Sequence, residues 1–259
     1  MQAFSGPIAI LVDAVTFVVS ALFLGSIKHA ELQPVAPAVR TSVYREWRDG
    51  LRHVGRDPIL RSLAIVGVMF SLGFGLFGAT YSLFVLRDLD FAPGWLGVIY
   101  GIGGLSSLAG AMLAARASDR LGLGPSLVVG LLMMGMAMLL VPLATGAAGV
   151  VALFLIASQL GDGGFTTFDV NSMSLRQSIT RDEMLGRVNA FMRMSEIALI
   201  FGGTLLVGVL ATTIGLRPTL VLGAAAVIAA AAYMAASPLA RVRAAPAIVE
   251  EVAPEPASP

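Results

Sequence analysis

Four carboxylates, Asp13, Asp162, Asp169 and Glu196, stand inside long apolar runs of this chain. An ionised group at the centre of a bilayer costs about 2.5–3.5 kcal/mol on insertion scales, so such groups face protein, a water-filled cavity or a proton. Asp162 has the richest surroundings, because Ser158, Phe165 or Thr166, and Asp169 fall near its face at helical spacing and Gln159 lies beside them. Two readings of it stay open. It is a protonatable or cation-binding group, or it satisfies backbone groups freed by a helix break at Gly161–Gly164. Arg193 and Glu196 are three residues apart, a spacing that permits a mutual ion pair, which is either structural or a latch that reaches Asp169. Asp13 is suited to a hydrogen bond with a neighbouring helix. An aromatic stripe, Phe70, Phe74, Phe77, Tyr81 and Phe84, recurs at steps of three and four and offers either a wall for lipophilic or cationic molecules or plain packing. Candidate substrate contacts are therefore Phe74, Phe77, Tyr81, Gln159, Asp162, Thr166 and Asp169. Asp162, Arg193 and Glu196 are the candidate coupling or ion-pair groups. Asp119 and Arg120 follow another apolar run, where a carboxylate can dock on a helix N-terminus and an Arg on a carboxylate or headgroup.

Enzymatic chemistry finds little to work with. Cysteine is absent, and the two histidines, His29 and His53, share one polar loop without metal-ligand spacing. No Ser-Lys pair is visible, so no catalytic residue, metal or cofactor is expected.

The elements that must position these groups are membrane helices. Of 259 residues 57% are hydrophobic and 13% charged, and the mean hydropathy is +0.85; a soluble domain carries about 25% charged residues. A net charge of +1 without a basic patch speaks against nucleic-acid binding. Seven apolar spans are expected, at 7–27, 62–86, 94–115, 126–145, 149–172, 189–214 and 218–237. The fifth is interrupted by Gly161–Gly164. The segments after successive spans carry seven, one, two, no, three, one and two Lys plus Arg. That alternation places residue 1 outside and the C-terminus in the cytoplasm. The domain plan is a first helix (1–27), a cytoplasmic linker (28–61), a six-helix bundle (62–240) and a disordered tail (241–259), all-α throughout. Within the linker, a Pro-rich stretch at Pro34 and Pro37 leads into 43–56. There Val43, Trp47, Leu51 and Val54 share one face and Arg the others, the pattern of an amphipathic helix on the inner membrane surface. Small residues at Gly97, Gly101, Gly104, Gly110, Gly202, Gly203 and Gly208 allow close helix contact.

Four stretches together resemble the major facilitator superfamily, in particular its bacterial enterobactin-exporter-like and macrolide-efflux-like branch: GPIAILVDAVTFVVSALFL from Gly6, EWRDGLRHVGRDPILRSLAI from Glu46, AARASDRLG from Ala114 and LRQSITRDEMLGRVNAFMR from Leu175. The third is similar to the loop motif G-x-x-x-D-R-x-G, with Ala115 in the place of its first Gly. In the fourth, members often carry a Pro where this chain reads ITRDEM. The resemblance implies family helices six to twelve, hence a partial major facilitator fold that lacks the first five helices. It also implies that the second and fifth spans face a central cavity, and that the segment at Asp119 and Arg120 helps hold the inward-closed state.

The function so implied is a secondary transporter of the inner membrane that exports a small lipophilic or amphipathic molecule by proton antiport. Its partners are membrane lipids, the substrate, protons and the missing N-terminal helices. The alternatives are a non-transporting subunit or inactive fragment, and, less well supported, a seven-helix ligand-sensing receptor. A retinal photoreceptor is excluded, since the only lysine is Lys28.

Overall fold

The computed structural model describes residues 6–26, 42–91 and 93–244. His29, Lys28, Pro34, Pro37 and the tail from 245 lie outside the described residues. All regular structure among the described residues is helical: α1 (Gly6–Gly25), α2 (Val43–Arg56), α3 (Pro58–Leu83), α4 (Pro93–Leu121), α5 (Leu123–Leu143), α6 (Ala148–Ser158), α7 (Leu160–Ile179), α8 (Asp182–Thr213) and α9 (Leu216–Ala236). A π-helical turn, Phe84–Asp88, extends α3, and a 3₁₀ turn, Pro238–Arg241, follows α9. Among the described residues six helices are long and apolar enough to cross a membrane, with α6 and α7 counted as one; the expected first span is a shorter apolar helix. The all-α membrane architecture expected from the sequence is thus what the described residues adopt.

Local sequence explains the helix ends. Ser42 caps α2, its Oγ accepting the Arg45 N–H at 3.3 Å. Asp57 caps α3, its Oδ1 accepting the Ile59 and Leu60 N–H groups at 2.8 Å each, and Pro58 fills the first helical position, where its missing N–H costs nothing. Between α4 and α5 the whole connection is Gly122, at φ +91°, a conformation that side chains resist. α4 therefore runs six residues past the expected end, and Asp119 and Arg120 form its exposed last turn rather than a loop. The N-terminus of α5 is capped by backbone instead: Leu123 N–H donates to the Arg243 carbonyl at 3.1 Å and Gly124 N–H to that of Val242 at 2.7 Å. Residues 242–243, expected in a disordered tail, are therefore ordered by this contact.

α2 forms where its pattern predicts, but its apolar face meets protein. Trp47 packs on Phe191 of α8 with ring centroids 5.5 Å apart, Val54 is buried, and Gly50 lies against the Arg187 backbone. Among the described side chains of that face, Leu51 remains exposed. α1 behaves oppositely. Its described side chains are all exposed, Asp13 included, and only the Asp13 carbonyl bonds, to Thr16 Oγ1 at 2.7 Å. The expected bond from the Asp13 side chain to another helix is not formed among the described residues.

The six long spans pack as an open arc in the order α8, α3, α9, α5, α7, α4. In lipid, apolar burial does not draw helices together, so contact depends on how closely backbones approach. Glycine stands at each principal interface: Gly73 and Gly223 between α3 and α9, Gly75 and Gly203 between α3 and α8, Gly135 between α5 and α9, Gly130 and Gly164 between α5 and α7, Gly110 and Gly163 between α4 and α7. A Cβ on Gly130 would stand 2.6 Å from the Gly164 carbonyl oxygen, closer than any real contact. Of the glycines expected at helix contacts, Gly110 and Gly203 serve so; Gly97, Gly101, Gly104, Gly202 and Gly208 meet nothing within 4 Å.

Replacing Gly130 by Leu must force α5 from α7, and overpacking of this kind costs about 1–3 kcal/mol. The expected outcome in a detergent thermal-unfolding assay is a midpoint at least several degrees lower for Gly130→Leu. Gly101→Leu, pointing into open space, leaves it unchanged; equal losses would refute the assigned interfaces.

Candidate functional site

The fifth expected span is divided, though not where its glycines suggested. A single turn at Gln159 separates α6 from α7, and Asp162 N–H donates to the Gln159 carbonyl at 3.2 Å in the tighter three-residue pattern. Gly161, Gly163 and Gly164 are all buried within α7, where they admit α5 and α4 rather than break the helix. Hydroxyls and amides lace the same contacts. Ser106 Oγ accepts the Gly163 N–H at 3.1 Å, Thr167 Oγ1 donates to Gly110 at 3.1 Å, and Asn171 Nδ2 donates to the Ala114 carbonyl and Ser126 Oγ at 3.2 Å each. Asn171 carries no signal in the sequence beyond being polar in an apolar run.

On this rigid seat the Asp162 carboxylate and the Gln159 amide converge on Gly103 of α4, whose missing side chain leaves them room. Gln159 Nε2 donates to Ser158 Oγ at 3.1 Å, and Thr166 Oγ1 donates to the Asp162 carbonyl at 2.9 Å. Tyr81 of α3 stands near Asp162, and its buried hydroxyl makes no hydrogen bond among the described residues. Tyr81 also packs against Tyr100 of α4, with centroids 6.0 Å apart.

The aromatic stripe splits in two. Phe77, Tyr81 and Phe84 are buried in the core, where Phe77 abuts Gly223 of α9 and Arg217 lies 5.3 Å over the Phe84 ring. Phe70 and Phe74 instead face a cavity of about 600 Å³ between α3, α7 and α8. Phe77, Tyr81, Gln159, Asp162 and Thr166 do not line this cavity; Phe74 and Asp169 do. Its aromatic side is a stack that crosses between helices: Phe70 lies on Phe165 of α7 at 4.8 Å with planes 10° apart, and Phe74 on Phe70 at 5.5 Å.

The other side of the cavity is charged. Arg193 and Glu196 form the expected pair at 3.6 Å, with the Arg193 side chain 73% exposed. Glu196 also feels Arg176 and Asp169, so four charged groups share one field. Arg176 and Asn189 complete the lining, and neither was singled out from the sequence. Both lie within the motif stretch beginning at Leu175. Arg176 stands seven residues, two helical turns, after Asp169, and Asn189 seven before Glu196, a periodicity that could have found them.

A model of the Major Facilitator Superfamily matches residues 1–196. The chain belongs to this superfamily. No curated protein and no solved structure matches it. Members of the superfamily are generally transporters rather than enzymes, and the apolar helices are those of a multi-pass membrane protein. A cavity between helices, aromatic on one side and charged on the other, is the kind of site such a protein needs.

With Arg193 so exposed, solvent screens its pair with Glu196, and such pairs contribute less than about 1 kcal/mol. A double-mutant cycle on Arg193→Ala and Glu196→Ala, read by unfolding in detergent, should give a coupling below that value. A coupling above about 2 kcal/mol would mean that the pair is enclosed.

Proposed function

We propose that this protein is a secondary active transporter that exports a small amphipathic molecule, driven by protons moving inward. The observation that carries the reading is the depth of the cavity. Its lining comes mainly from the first halves of α3 and α8 and from the second half of the span that α6 and α7 form together. By the distribution of Lys and Arg these are the cytoplasmic halves, with the C-terminus in the cytoplasm and the protein in the inner membrane. A cavity at that depth suits uptake of cargo from the cytoplasm. Its aromatic stack would hold an apolar body and its charged side a polar head.

Coupling is assigned to Asp162. Its carboxylate sits about 20 Å along α6 and α7 from Ala148, near mid-membrane, and makes no hydrogen bond or ion pair among the described residues. A carboxylate so placed takes up a proton more readily than it bears a charge. The turn at Gln159, directly beneath it, offers a joint through which protonation tilts α6 against α7. Arg193, Glu196 and Asp169 are assigned to the cargo cavity, and Asp119 with Arg120 to the closing contacts at the cytoplasmic surface. The motif order further supports the enterobactin-exporter-like and macrolide-efflux-like branch, with α3 to α9 as the C-terminal half. Alternating access requires a second bundle that rocks against this one.

Everted membrane vesicles that carry the chain test the reading with 2-naphthoate, 2-naphthol and ethidium as probes. At least one should accumulate and dissipate a preset pH gradient as it does so. Asp162→Asn should abolish the proton movement while the amount of chain in the membrane stays the same. If none of the three accumulates, the transporter reading fails; if the variant still moves protons, the assignment of Asp162 fails.

A further inference from the structure

The charged side of the cavity is not symmetric, and its asymmetry points to a ligand class. Arg193 already holds Glu196 at 3.6 Å. Arg176 has no such partner: its Nη1 donates to Met192 Sδ at 3.1 Å, a thioether and a weak acceptor, and its buried Nε donates to nothing. The Asn189 amide borders the same cavity, with its terminal Oδ1 buried and unpaired. Buried polar atoms are normally satisfied, and an unmade bond at a guanidinium is among the more costly to leave. Both residues line the cavity with hydrogen-bonding capacity left over, which indicates that a cargo group reaching this wall takes it up.

Resting on the reading of this cavity as the transport site, we infer that the cargo is an aromatic or alicyclic carboxylate whose anionic head is held by Arg176 and Asn189. A guanidinium presents donors in a planar fork that matches a carboxylate. The Asn189 NH₂ makes no hydrogen bond among the described residues, and it adds a donor to the same carboxylate. The stacked Phe70 and Phe165 then receive a flat apolar body beside that head. A cationic cargo would instead leave the Arg176 donors unmet and meet its charge. Asp169 and Glu196 do not reverse this preference, since Glu196 is engaged by Arg193 and Asp169 is open to solvent at the cavity edge. Export of an anion against an entering proton moves positive charge inward on both counts, so an inside-negative membrane potential assists it.

Equilibrium binding separates this inference from transport. With the full chain in lipid nanodiscs and titration calorimetry as readout, 2-naphthoate should bind about tenfold or more tightly than 2-naphthamide or 2-naphthylmethylammonium. That ratio is the least that one charge-assisted hydrogen bond provides. Arg176→Gln should bring naphthoate down to the level of the amide. Asn189→Asp, nearly equal in size, should also weaken naphthoate by placing a like charge at the head while sparing the ammonium probe. Thermal unfolding verifies that each variant is folded, and if Arg176→Gln is not, Asn189→Asp alone decides. Equal or tighter binding of the ammonium, no binding of any probe, or a naphthoate preference that survives in the folded variants overturns the inference. Naphthoate binding with no vesicle transport would refute the transporter reading and leave the carboxylate site standing. Ethidium transport without a naphthoate preference would do the reverse.

Discussion

The close approach of helix backbones through glycine is the interaction on which the rest of this structure depends. Lipid tails are as apolar as leucine, so a bundle in a membrane cannot be held by hiding oil from water. It is held by dispersion contacts and by hydroxyls and amides that reach a neighbouring backbone, and both fall off within fractions of an ångström. Only where Gly110 meets Gly163, or Gly130 meets Gly164, can Thr167 and Asn171 reach across with their short side chains. The same proximity seats α7 between α4 and α5, which fixes the direction in which Asp162 and Asp169 point.

Two polar regions result, and they differ in kind. The group around Asp162, Gln159 and Tyr81 is packed between α3, α4 and α7, short of water and short of hydrogen-bond partners. The group around Asp169, Arg176, Arg193 and Glu196 borders open volume and is charged on both signs. Asp162 of the one and Asp169 of the other lie on α7 about two turns apart, so a shift of α7 caused at one is felt at the other without a special relay.

Much of this was legible in the residues because the relevant signals are local. Apolar length locates spans, and the face formed by Trp47, Leu51 and Val54 foretells α2. The Arg193–Glu196 pair needs only its three-residue spacing. What was not legible depends on which face of a helix finds a partner. The aromatic stripe is periodic along its whole length, yet the rotation of α3 against α9 sends Phe77 and Tyr81 into the core and only Phe70 and Phe74 to the cavity. Gly161–Gly164 looks like a break when read as sequence, because the α5 and α4 backbones that fill its missing side chains are far away along the chain. Arg176 was passed over for a similar reason. It stands near a span end, where an Arg ordinarily reaches solvent, and only the return of α8 encloses it.

The two backbone bonds from Leu123 and Gly124 to Arg243 and Val242 join the start of α5 to the end of α9. Gly135 fastens the same two helices further along their length. With α3 locked to α9 at Gly73 and Gly223, these three helices make a keel that resists shear. The flanks, α8 on one side and α7 with α4 on the other, are fastened to this keel through glycines of their own, and the cavity is bounded by α3, α7 and α8. The cavity is thus a gap between ribs set on a stiff hull, and its width is fixed by where α7 and α8 are fastened rather than by the packing of the core.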